Sequence, residues 1–563
     1  MTLPVAVDAG RDSAPPPRAL GAVTPSRWWG VAVFLAATAV YTAVGIVLAM
    51  RFNLVDGDGP SRVANAGYVT LSRDPHLGAI GFVWNPLPSL VNIPILELSR
   101  WWAPLKTHGQ AGTIQAALFM AAAVLGVRRI AYDRAVPGWC RIVIVTGFAL
   151  NPMIVQYGGN GMSEAALIAC LLWGLRYLML WMNSAHGPDL AFAGIWIGVA
   201  YLARYEALAA TAGAVVVVAG RTWLRSRAHD RRRRLSAGFH DAVIVAAPST
   251  VAVAVWALSS WLLTGHLFAQ FSSQYGNSAQ LSVAVRAGTL SVGTTSTTLL
   301  QIANSILGLQ PLLIVVVLLA ATLGFLRRDP TVLAPVAVLG GVVCFAALAH
   351  LTGITFGWLR FYIAAVPLGA TLAATLWTPI RSTATPGSGR LTGAAVAAVA
   401  ILASATAIPV TWQTMLDPAM RTNAIQQGLR SLVFPSQEPR DQNPLFVFFQ
   451  DDRQIATFLD SLDLAPATVL TDTREGWAIW LASGDSAQFV ITSDKDFDVA
   501  LNAPRQFGIE YILVSNPELD AGQDAVNRRY PTMWDDGAQL GTLALRVVGP
   551  DGLERWRIYR IIR

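Results

Sequence analysis

Charged side chains are scarce in this sequence of 563 residues: Asp, Glu, Lys and Arg make up 13% of it, while hydrophobic residues make up 54%. Soluble globular domains carry about 25% charged residues. Such a composition excludes a soluble enzyme, a nucleic-acid-binding module and a disordered chain. It predicts a polytopic α-helical membrane protein with a smaller water-facing part that holds most of the remaining charge.

Cysteine and lysine are also nearly absent. The three cysteines, Cys140, Cys170 and Cys344, fall in or beside apolar segments, so the spacing supports neither a disulfide framework nor a metal site. Only Lys106 and Lys495 are lysines among the 41 basic residues. This strong preference for arginine indicates a GC-rich genome, such as that of an actinobacterium.

The net charge of +7 is unevenly divided along the chain. Residues 1–413 contain 27 Lys and Arg against 13 Asp and Glu, whereas residues 414–563 contain 14 against 21. A basic membrane portion is therefore followed by an acidic, water-soluble portion. Basic loops that face an anionic leaflet explain the high pI without a nucleic-acid partner.

Hydropathy divides the chain into three parts. Residues 1–27 read as a disordered cytoplasmic tail rather than a signal peptide, because the following apolar run is full length and no cleavage site follows it. Residues 28–413 form the predicted transmembrane domain, and residues 414–563 the soluble domain. Eleven spans are expected, at 28–50, 111–127, 141–158, 163–182, 190–204, 206–220, 242–264, 306–326, 331–351, 358–377 and 392–413.

The distribution of arginine predicts the orientation, since basic residues concentrate in cytoplasmic loops. The predicted inner loops contain seven arginines within 221–234, including the run 231–234, which we assign to topology. An inner N-terminus and eleven spans place the C-terminal domain outside the cytoplasmic membrane.

Water-facing regions are expected on the outer side: the long first loop 51–110, the domain 414–563 and a polar stretch at 265–305 with an interfacial helix. Within the C-terminal domain, short β-rich runs alternate with helical ones, which predicts a small α/β domain. The expected strands are 467–472, 488–492, 509–515, 543–548 and 556–562, and the expected helices are 453–462 and 474–482.

The first outer loop holds the clearest candidate chemistry. Asp56 and Asp58 lie two residues apart just beyond the first span, and Arg62 follows Asp58 at the fourth position. One interpretation is a general base beside a phosphate-binding cation, at the depth of a lipid phosphate; the alternative is a turn that caps a helix. His76, in Asp-Pro-His, is a weaker candidate, because this tripeptide is typical of a turn.

Further ionisable and polar residues map to outer ends of the predicted spans. Charged groups at such positions are costly unless they are paired or used. With Asp56 and Asp58 they outline one outer vestibule. An interfacial ion pair, snorkelling toward headgroups and a favourable helix dipole are the structural alternatives. These candidates are Glu164, Arg204, Tyr205, Glu206, Arg360 and Tyr362; His350 is equally consistent with packing.

An acidic motif directly after the first span, a long first outer loop, about eleven spans and an outer C-terminal domain together resemble the GT-C superfamily of membrane glycosyltransferases. The resemblance extends over the whole chain and is greatest to actinobacterial cell-envelope members and the protein O-mannosyltransferase-like group. Asp56-Gly-Asp58 departs from the commoner pair of adjacent acidic residues, which leaves open which aspartate acts as the base.

The resemblance implies an inverting glycosyltransferase that uses a polyprenyl-phosphate sugar and acts at the outer membrane face on an envelope glycan or glycolipid. Asp58 is then expected to accept the proton of the acceptor hydroxyl, and Arg204 and Arg360 to stabilise the departing phosphate. Asp56 is expected to position the acceptor or a divalent ion. We expect no cofactor and no metal, with a divalent cation at Asp56 and Asp58 as the alternative.

Two other functions fit the sequence. A lipid or glycan transporter would place ionisable groups in the middle of spans and often contains repeated halves, neither of which is evident. A noncatalytic scaffold of envelope assembly would not need both aspartates. The sequence leaves the sugar and the acceptor open; mannose and arabinofuranose are favoured only because the composition suggests an actinobacterium.

Overall fold

The computed structural model describes residues 26–226, 230–272, 281, 295–377, 388–420, 423–440, 443–447, 449–519, 524–549 and 552–562. The predicted N-terminal tail therefore lies almost wholly outside the described residues. Most of the polar stretch 265–305 lies outside them as well, although a short helix, Ala269–Ser272, and the start of the helix Thr295–Leu309 fall within it.

Apolar helices dominate the first 416 residues. Seven helices in the described part are long and apolar enough to cross a membrane, and two bent pairs raise this to nine. Two shorter apolar helices, Gly187–Ala203 and Leu359–Thr375, complete the set. The seven are Arg27–Arg51, Gln110–Asp133, Glu164–Ser184, Ala207–Arg225, Arg231–Thr264, Pro330–Leu351 and Gly393–Leu416.

The bent pairs are Gly138–Ala149 with Pro152–Gly159, at 56°, and Thr295–Leu309 with Leu313–Arg327, at 74°. Each of the eleven predicted spans thus coincides with one apolar helix or bent pair, and the chain is a polytopic helical membrane protein. The count of eleven crossings and the inner N-terminus stay predictions.

The arginine run 231–234 was expected in a loop. The structure places it in the first turn of the helix Arg231–Thr264, which Asp230 caps.

The loop 51–110 folds into short helices. These are Asp58–Thr70, Leu77–Ile80, Leu87–Leu96, Glu97–Arg100 and Pro104–Thr107. The helix Asp58–Thr70 buries Val63, Ala64 and Tyr68 on one face. This face contacts the C-terminal domain, so the loop forms a layer between that domain and the apolar helices.

The C-terminal domain contains one five-stranded sheet with strands β1 (Val469–Thr471), β2 (Phe489–Ile491), β3 (Tyr511–Ser515), β4 (Gly541–Val548) and β5 (Glu554–Ile561). Their order is β2-β1-β3-β5-β4; β1, β2 and β3 are parallel, and β4 and β5 are antiparallel. All five strands were expected from the sequence. The flanking helices are Ala424–Val433, Pro444–Phe446, Gln450–Asp460, Thr473–Ala482, Ser486–Gln488, Phe497–Asn502, Pro504–Phe507, Ala525–Arg529, Met533–Asp536 and Gly537–Gln539.

An apolar core joins the loop 51–110 to this domain. The ring of Tyr68 meets that of Trp480 edge-on at a centroid distance of 4.6 Å, and Trp480 is fully buried. At Gly67, a Cβ atom would lie 2.7 Å from the Trp480 ring, so only glycine permits this approach. At the rim, Arg73 pairs with Asp494 at 3.2 Å. The C-terminal domain is therefore docked firmly on the loop that begins at Asp58.

Lys106 also contributes to this interface. Its buried ammonium group donates hydrogen bonds to the carbonyl oxygens of Ser483, Trp480 and Leu481 at 2.6, 2.9 and 3.1 Å. These carbonyls belong to the end of the helix Thr473–Ala482 and the residue after it, where helices leave acceptors without intrahelical partners. One side chain thus supplies the C-terminal cap of a helix in another domain.

We expect Lys106→Met to lower the free energy of unfolding by about 2–3 kcal/mol, because three carbonyls inside the protein lose their shared hydrogen-bond donor. The other lysine is a matched control: Lys495 is 69% exposed and pairs with Asp74 at 3.4 Å, so Lys495→Met is expected to change little. Chemical unfolding of purified protein in detergent measures both variants. Equal stability of the two would contradict the capping role.

Candidate active site

Asp56-Gly57-Asp58 forms a turn between the first apolar helix and the helix that Asp58 begins. The Asp56 side chain is buried, with 7% of its surface exposed. Its Oδ1 accepts the backbone N–H of Asp58 at 3.4 Å, and its Oδ2 accepts Nδ2 of Asn423 at 2.5 Å. The amide of Asn423 also donates to Oη of Tyr157 at 2.9 Å. Asp56 therefore fixes the turn that presents Asp58.

Glycines bring a second segment against this turn. A Cβ atom at Gly59 would lie 2.3 Å from the carbonyl oxygen of Asn160, so the two backbones meet closely. Gly161 has a φ of +77°, a conformation that glycine adopts readily. This contact places Ser163 and Glu164, at the start of the helix Glu164–Ser184, beside the helix of Asp58.

Asp58 faces Arg360 across the site. Both terminal nitrogens of Arg360 donate to Oδ2 of Asp58, each at 3.1 Å. Oδ1 of Asp58 accepts no hydrogen bond from the described residues, and the side chain is 29% exposed. One carboxylate oxygen is thus held by a guanidinium group, while the other is accessible.

Arg62 lies one turn after Asp58 on the same helix. Its Nη1 donates to the backbone oxygen of Asp58 at 2.8 Å, and its Nη2 donates to Oγ of Ser163 at 3.4 Å. The guanidinium stacks on the ring of Trp84, 4.4 Å from the centroid. A stacked arginine keeps its orientation, which suits recognition of a phosphate group.

Arg204 joins two buried carboxylates. Its Nη1 lies 2.8 Å from Oε1 of Glu164, and its Nη2 and Nε lie 2.5 and 3.0 Å from Oε1 of Glu206. Nη1 also donates to Oγ of Ser163 at 3.3 Å. Arg204 follows the end of the helix Gly187–Ala203, so the end of an apolar helix carries this charge into the cluster.

These groups line one cavity of about 90 Å³. Aromatic rings form its apolar wall, and three guanidinium groups and the carboxylates of Asp58 and Glu206 line the rest of it. Arg360 stacks on the ring of Trp358 at 4.6 Å from the centroid. The residues that line the cavity include Asp58, Arg62, Trp84, Ser163, Arg204, Tyr205, Glu206, Phe356, Trp358, Arg360 and Phe361.

The two aspartates differ in proton affinity for physical reasons. Burial raises the pKa of Asp58, but the charges of Arg360 and Arg62 and a hydrogen bond from Arg360 outweigh burial and hold this pKa below its usual value. Burial, followed by the negative charge of Asp58, raises the pKa of Asp56 to about 6. Asp58 is therefore ionised throughout the neutral range, whereas Asp56 titrates just below it.

Most sequence candidates meet in this arrangement: Asp56 and Asp58 form the turn, and Arg62, Glu164, Arg204, Tyr205, Glu206 and Arg360 surround it. Tyr362 lies outside the cavity and contacts His350, with 2.9 Å between Oη and Nδ1. His76 is not part of the cluster. Its Nδ1 lies 2.8 Å from the backbone oxygen of Asp74, which matches the turn that Asp-Pro-His favours.

Three members of the site were not among the candidates from the sequence: Asn423, Trp84 and Trp358. Asn423 lies in the segment that follows the last apolar helix, 367 residues from Asp56. Trp84 and Trp358 stack on Arg62 and Arg360, which were candidates themselves. A search for aromatic residues beside the predicted arginines on the outer side could have selected both tryptophans.

The described residues contain no group of three or more His, Cys, Asp or Glu side chains arranged to hold a metal ion. Asp56 and Asp58 remain the only acidic pair that we consider for a cation, and both already accept hydrogen bonds from protein groups. Metal independence stays a prediction.

Comparison with known proteins gives limited similarity. No protein-family model and no curated protein sequence matches the chain. Two solved structures match over 94% of this chain and 74% of theirs, both with a TM-score of 0.37. They are the oligosaccharyltransferase AglB of Archaeoglobus fulgidus with an inhibitory peptide and a dolichol-phosphate, at 12% identity, and the oligosaccharyltransferase of that organism tethered to an acceptor peptide, at 10%. Such similarity assigns no activity, so the function is argued from the cluster itself.

Proposed function

We propose that this protein is a glycosyltransferase of the GT-C type that transfers a sugar from a polyprenyl phosphate to an acceptor hydroxyl. One observation carries the proposal: an accessible carboxylate oxygen of Asp58 faces a cavity with three guanidinium groups beside the ends of apolar helices. The phosphate of a lipid-linked sugar carries its negative charge near the ends of membrane-spanning helices. Arginine binds phosphate through paired donors.

Each step of transfer has a group in this cluster. Oδ1 of Asp58 accepts the proton of the acceptor hydroxyl as the hydroxyl oxygen attacks the anomeric carbon. The bond from that carbon to the phosphate oxygen breaks, and the lipid phosphate leaves with the electron pair. Arg360, Arg204 and Arg62 are the donors that balance the charge that grows on the leaving phosphate.

Asp56 has a supporting role in this proposal rather than direct contact with the acceptor. Both of its carboxylate oxygens accept protein hydrogen bonds, and the side chain is buried. Geometry is the first requirement for a general base, and it favours Asp58 despite the higher pKa of Asp56. Asp56 holds the backbone of Asp58 and ties it to Asn423.

The finer assignment concerns the sugar and the membrane face. We propose mannose or arabinofuranose as the sugar and an envelope glycan or glycolipid as the acceptor, at the outer face of the cytoplasmic membrane. The arginine-rich composition supports an actinobacterial envelope, in which both sugars occur. The excess of arginine in the loops predicted to be cytoplasmic supports an outer location for Asp58.

The test is sugar transfer by the purified full chain in detergent, with a panel of polyprenyl-phosphate sugars that includes mannose and arabinofuranose. Release of free polyprenyl phosphate together with a lengthened acceptor supports the proposal. Tight binding of donors without their consumption would favour the transporter or the scaffold instead, and it would overturn the assignment as an enzyme.

A pH prediction follows from Asp56. We expect kcat/KM to fall as the pH drops below about 6, because protonation of Asp56 removes one of the acceptors that hold the turn. Asp58 stays ionised over this range, since its pKa is lowered. In Asp56→Asn, the rate should be lower at pH 7 and should no longer fall near pH 6. If kcat/KM of Asp56→Asn still falls below about pH 6, the titration of another group causes the pH dependence.

A further inference from the structure

A second cavity, of about 150 Å³, lies in the C-terminal domain. Three aromatic rings, carboxylates and a guanidinium group share its wall, and none of them belongs to the arginine-rich cavity. The residues that define it are Phe449, Asp451, Asp452, Trp477, Arg555 and Trp556.

The cavity lies where a parallel sheet favours a ligand. The chain passes from β1 to β2 on one side of β1 and then returns to place β3 on the other side, so the strand order switches between β1 and β3. Glu475 and Trp477 follow β1, Ser515 ends β3 and Asn516 follows it, and all four line the cavity. Ligands of open α/β sheets bind beyond the carboxyl ends of the strands at such a switch point.

The chemistry of the wall matches a neutral molecule with many hydroxyl groups. Trp477 is half-buried and meets the ring of Phe449 edge-on at 5.1 Å. Asp451 pairs with Arg555 at 3.3 Å, so the wall contains both acceptors and a donor. The carboxylates of Asp451, Asp452 and Glu475 disfavour an anion, and Arg555 neutralises part of their charge through its pair with Asp451. A saccharide ring has an apolar face for the indole and hydroxyl edges for the polar groups.

Asp452 adds a group that can both donate and accept. Burial, followed by the charge of Asp451, raises the pKa of Asp452 to about 7. Near neutral pH, the protonated form donates to a hydroxyl or ring oxygen, and the ionised form accepts from a hydroxyl. Such a group suits a saccharide, because each of its hydroxyl groups can also both donate and accept a hydrogen bond.

This cavity is connected to the turn of Asp56 through shared walls. Phe449, Trp477 and Ala478 also line a smaller cavity whose other wall includes Val55 and His108. Val55 and His108 in turn line a third cavity, to which Asp56 contributes. Three adjoining cavities therefore extend from the switch point of the sheet to Asp56, whereas Asp58 lines the arginine-rich cavity.

We propose that the cavity around Trp477 binds a neutral saccharide unit of the acceptor glycan and aligns the glycan toward the turn of Asp56 and Asp58. The part of this inference that concerns the acceptor rests on the proposed transferase function. Saccharide binding by the cavity does not depend on it. The C-terminal domain thus selects acceptors several units long, while the arginine-rich cavity binds the donor.

Direct binding tests the inference without any donor. Purified full-length protein in detergent is titrated with a linear mannotetraose and, separately, with a linear arabinofuranose hexasaccharide, and binding is followed by calorimetry and saturation-transfer NMR. We expect one probe to bind. Trp477→Ala should weaken that binding about tenfold, because a ring face of the site is lost. Asp452→Asn, which keeps the shape of the side chain, should weaken it as well.

Trp534→Ala is the matched control, because Trp534 belongs to the same domain and stacks against Arg557 outside the cavity. It should bind the probe as the unsubstituted protein does. Unfolding midpoints of all variants separate loss of the site from loss of the fold. No binding of either probe, or equal binding by Trp477→Ala, overturns the inference.

The two proposals fail in different ways. Saccharide binding that depends on Trp477, without consumption of any donor, retains the site and rejects the transferase. Transfer that occurs with the same KM for long acceptors in Trp477→Ala retains the transferase and rejects the acceptor site. If both hold, Trp477→Ala raises KM for a long acceptor by a larger factor than KM for a monosaccharide acceptor.

Discussion

Asp58→Asn is expected to lower kcat for sugar transfer about 1,000-fold, the loss typical of a general base that can no longer accept a proton. The amide keeps the size of the side chain and one oxygen for Arg360, so the cavity should keep its shape. Binding of the polyprenyl-phosphate donor should stay within a few-fold of normal, because the three arginines remain. The measurement is single-turnover transfer at saturating donor, which separates the chemical step from binding.

Two further variants test this interpretation. Asp74→Asn is the matched control, because Asp74 is an aspartate of the same loop that pairs with Lys495 outside the cluster, and its kcat should be unchanged. Asp58→Glu keeps the charge but moves it by one methylene group, so it should retain more activity than Asp58→Asn. Full activity of Asp58→Asn would show that another group accepts the proton and would remove the central residue of the mechanism.

The sequence predicted the helices and strands well because both depend on local periodicity. Apolar runs of helical length locate the membrane-spanning helices, and β1 to β5 follow from short β-rich runs between turns. The bends at Leu150 and Gln310 were not predicted, since each run is apolar on both sides of its break. A proline stands at each break, Pro152 and Pro311, and this local signal marks where the run changes direction.

The candidate site was partly predictable for an electrostatic reason. Ionisable residues at the ends of apolar helices are costly without partners, so Glu164, Arg204 and Arg360 stood out in the sequence. Which of them pair depends on the order in which helices pack, and no local pattern contains that information. The contact of Asn423 with Asp56 is the clearest example, because it joins residues on either side of the whole helical domain.

The largest effect on stability is expected at Arg204. Its side chain is 13% exposed, while those of Glu164 and Glu206 are 2% and 8% exposed. Arg204→Met leaves two carboxylates without their counter-charge in a region of low dielectric constant. We expect the free energy of unfolding to fall by about 3–5 kcal/mol, the range measured when one partner of a buried ion pair is removed.

Arg176→Met is the matched control, because Arg176 also pairs with an acid beside an apolar helix, at 2.6 Å from Asp133, but that pair is more exposed. Its loss should cost at most about 1 kcal/mol. Adding Glu164→Gln and Glu206→Gln to Arg204→Met should recover most of the stability, since neutral amides need no counter-charge. Transfer should stay low in this triple variant, because a stable fold does not replace the donor that the leaving phosphate needs. Recovery of both stability and transfer would reduce Arg204 to a structural ion pair and leave Arg360 and Arg62 as the phosphate-binding groups.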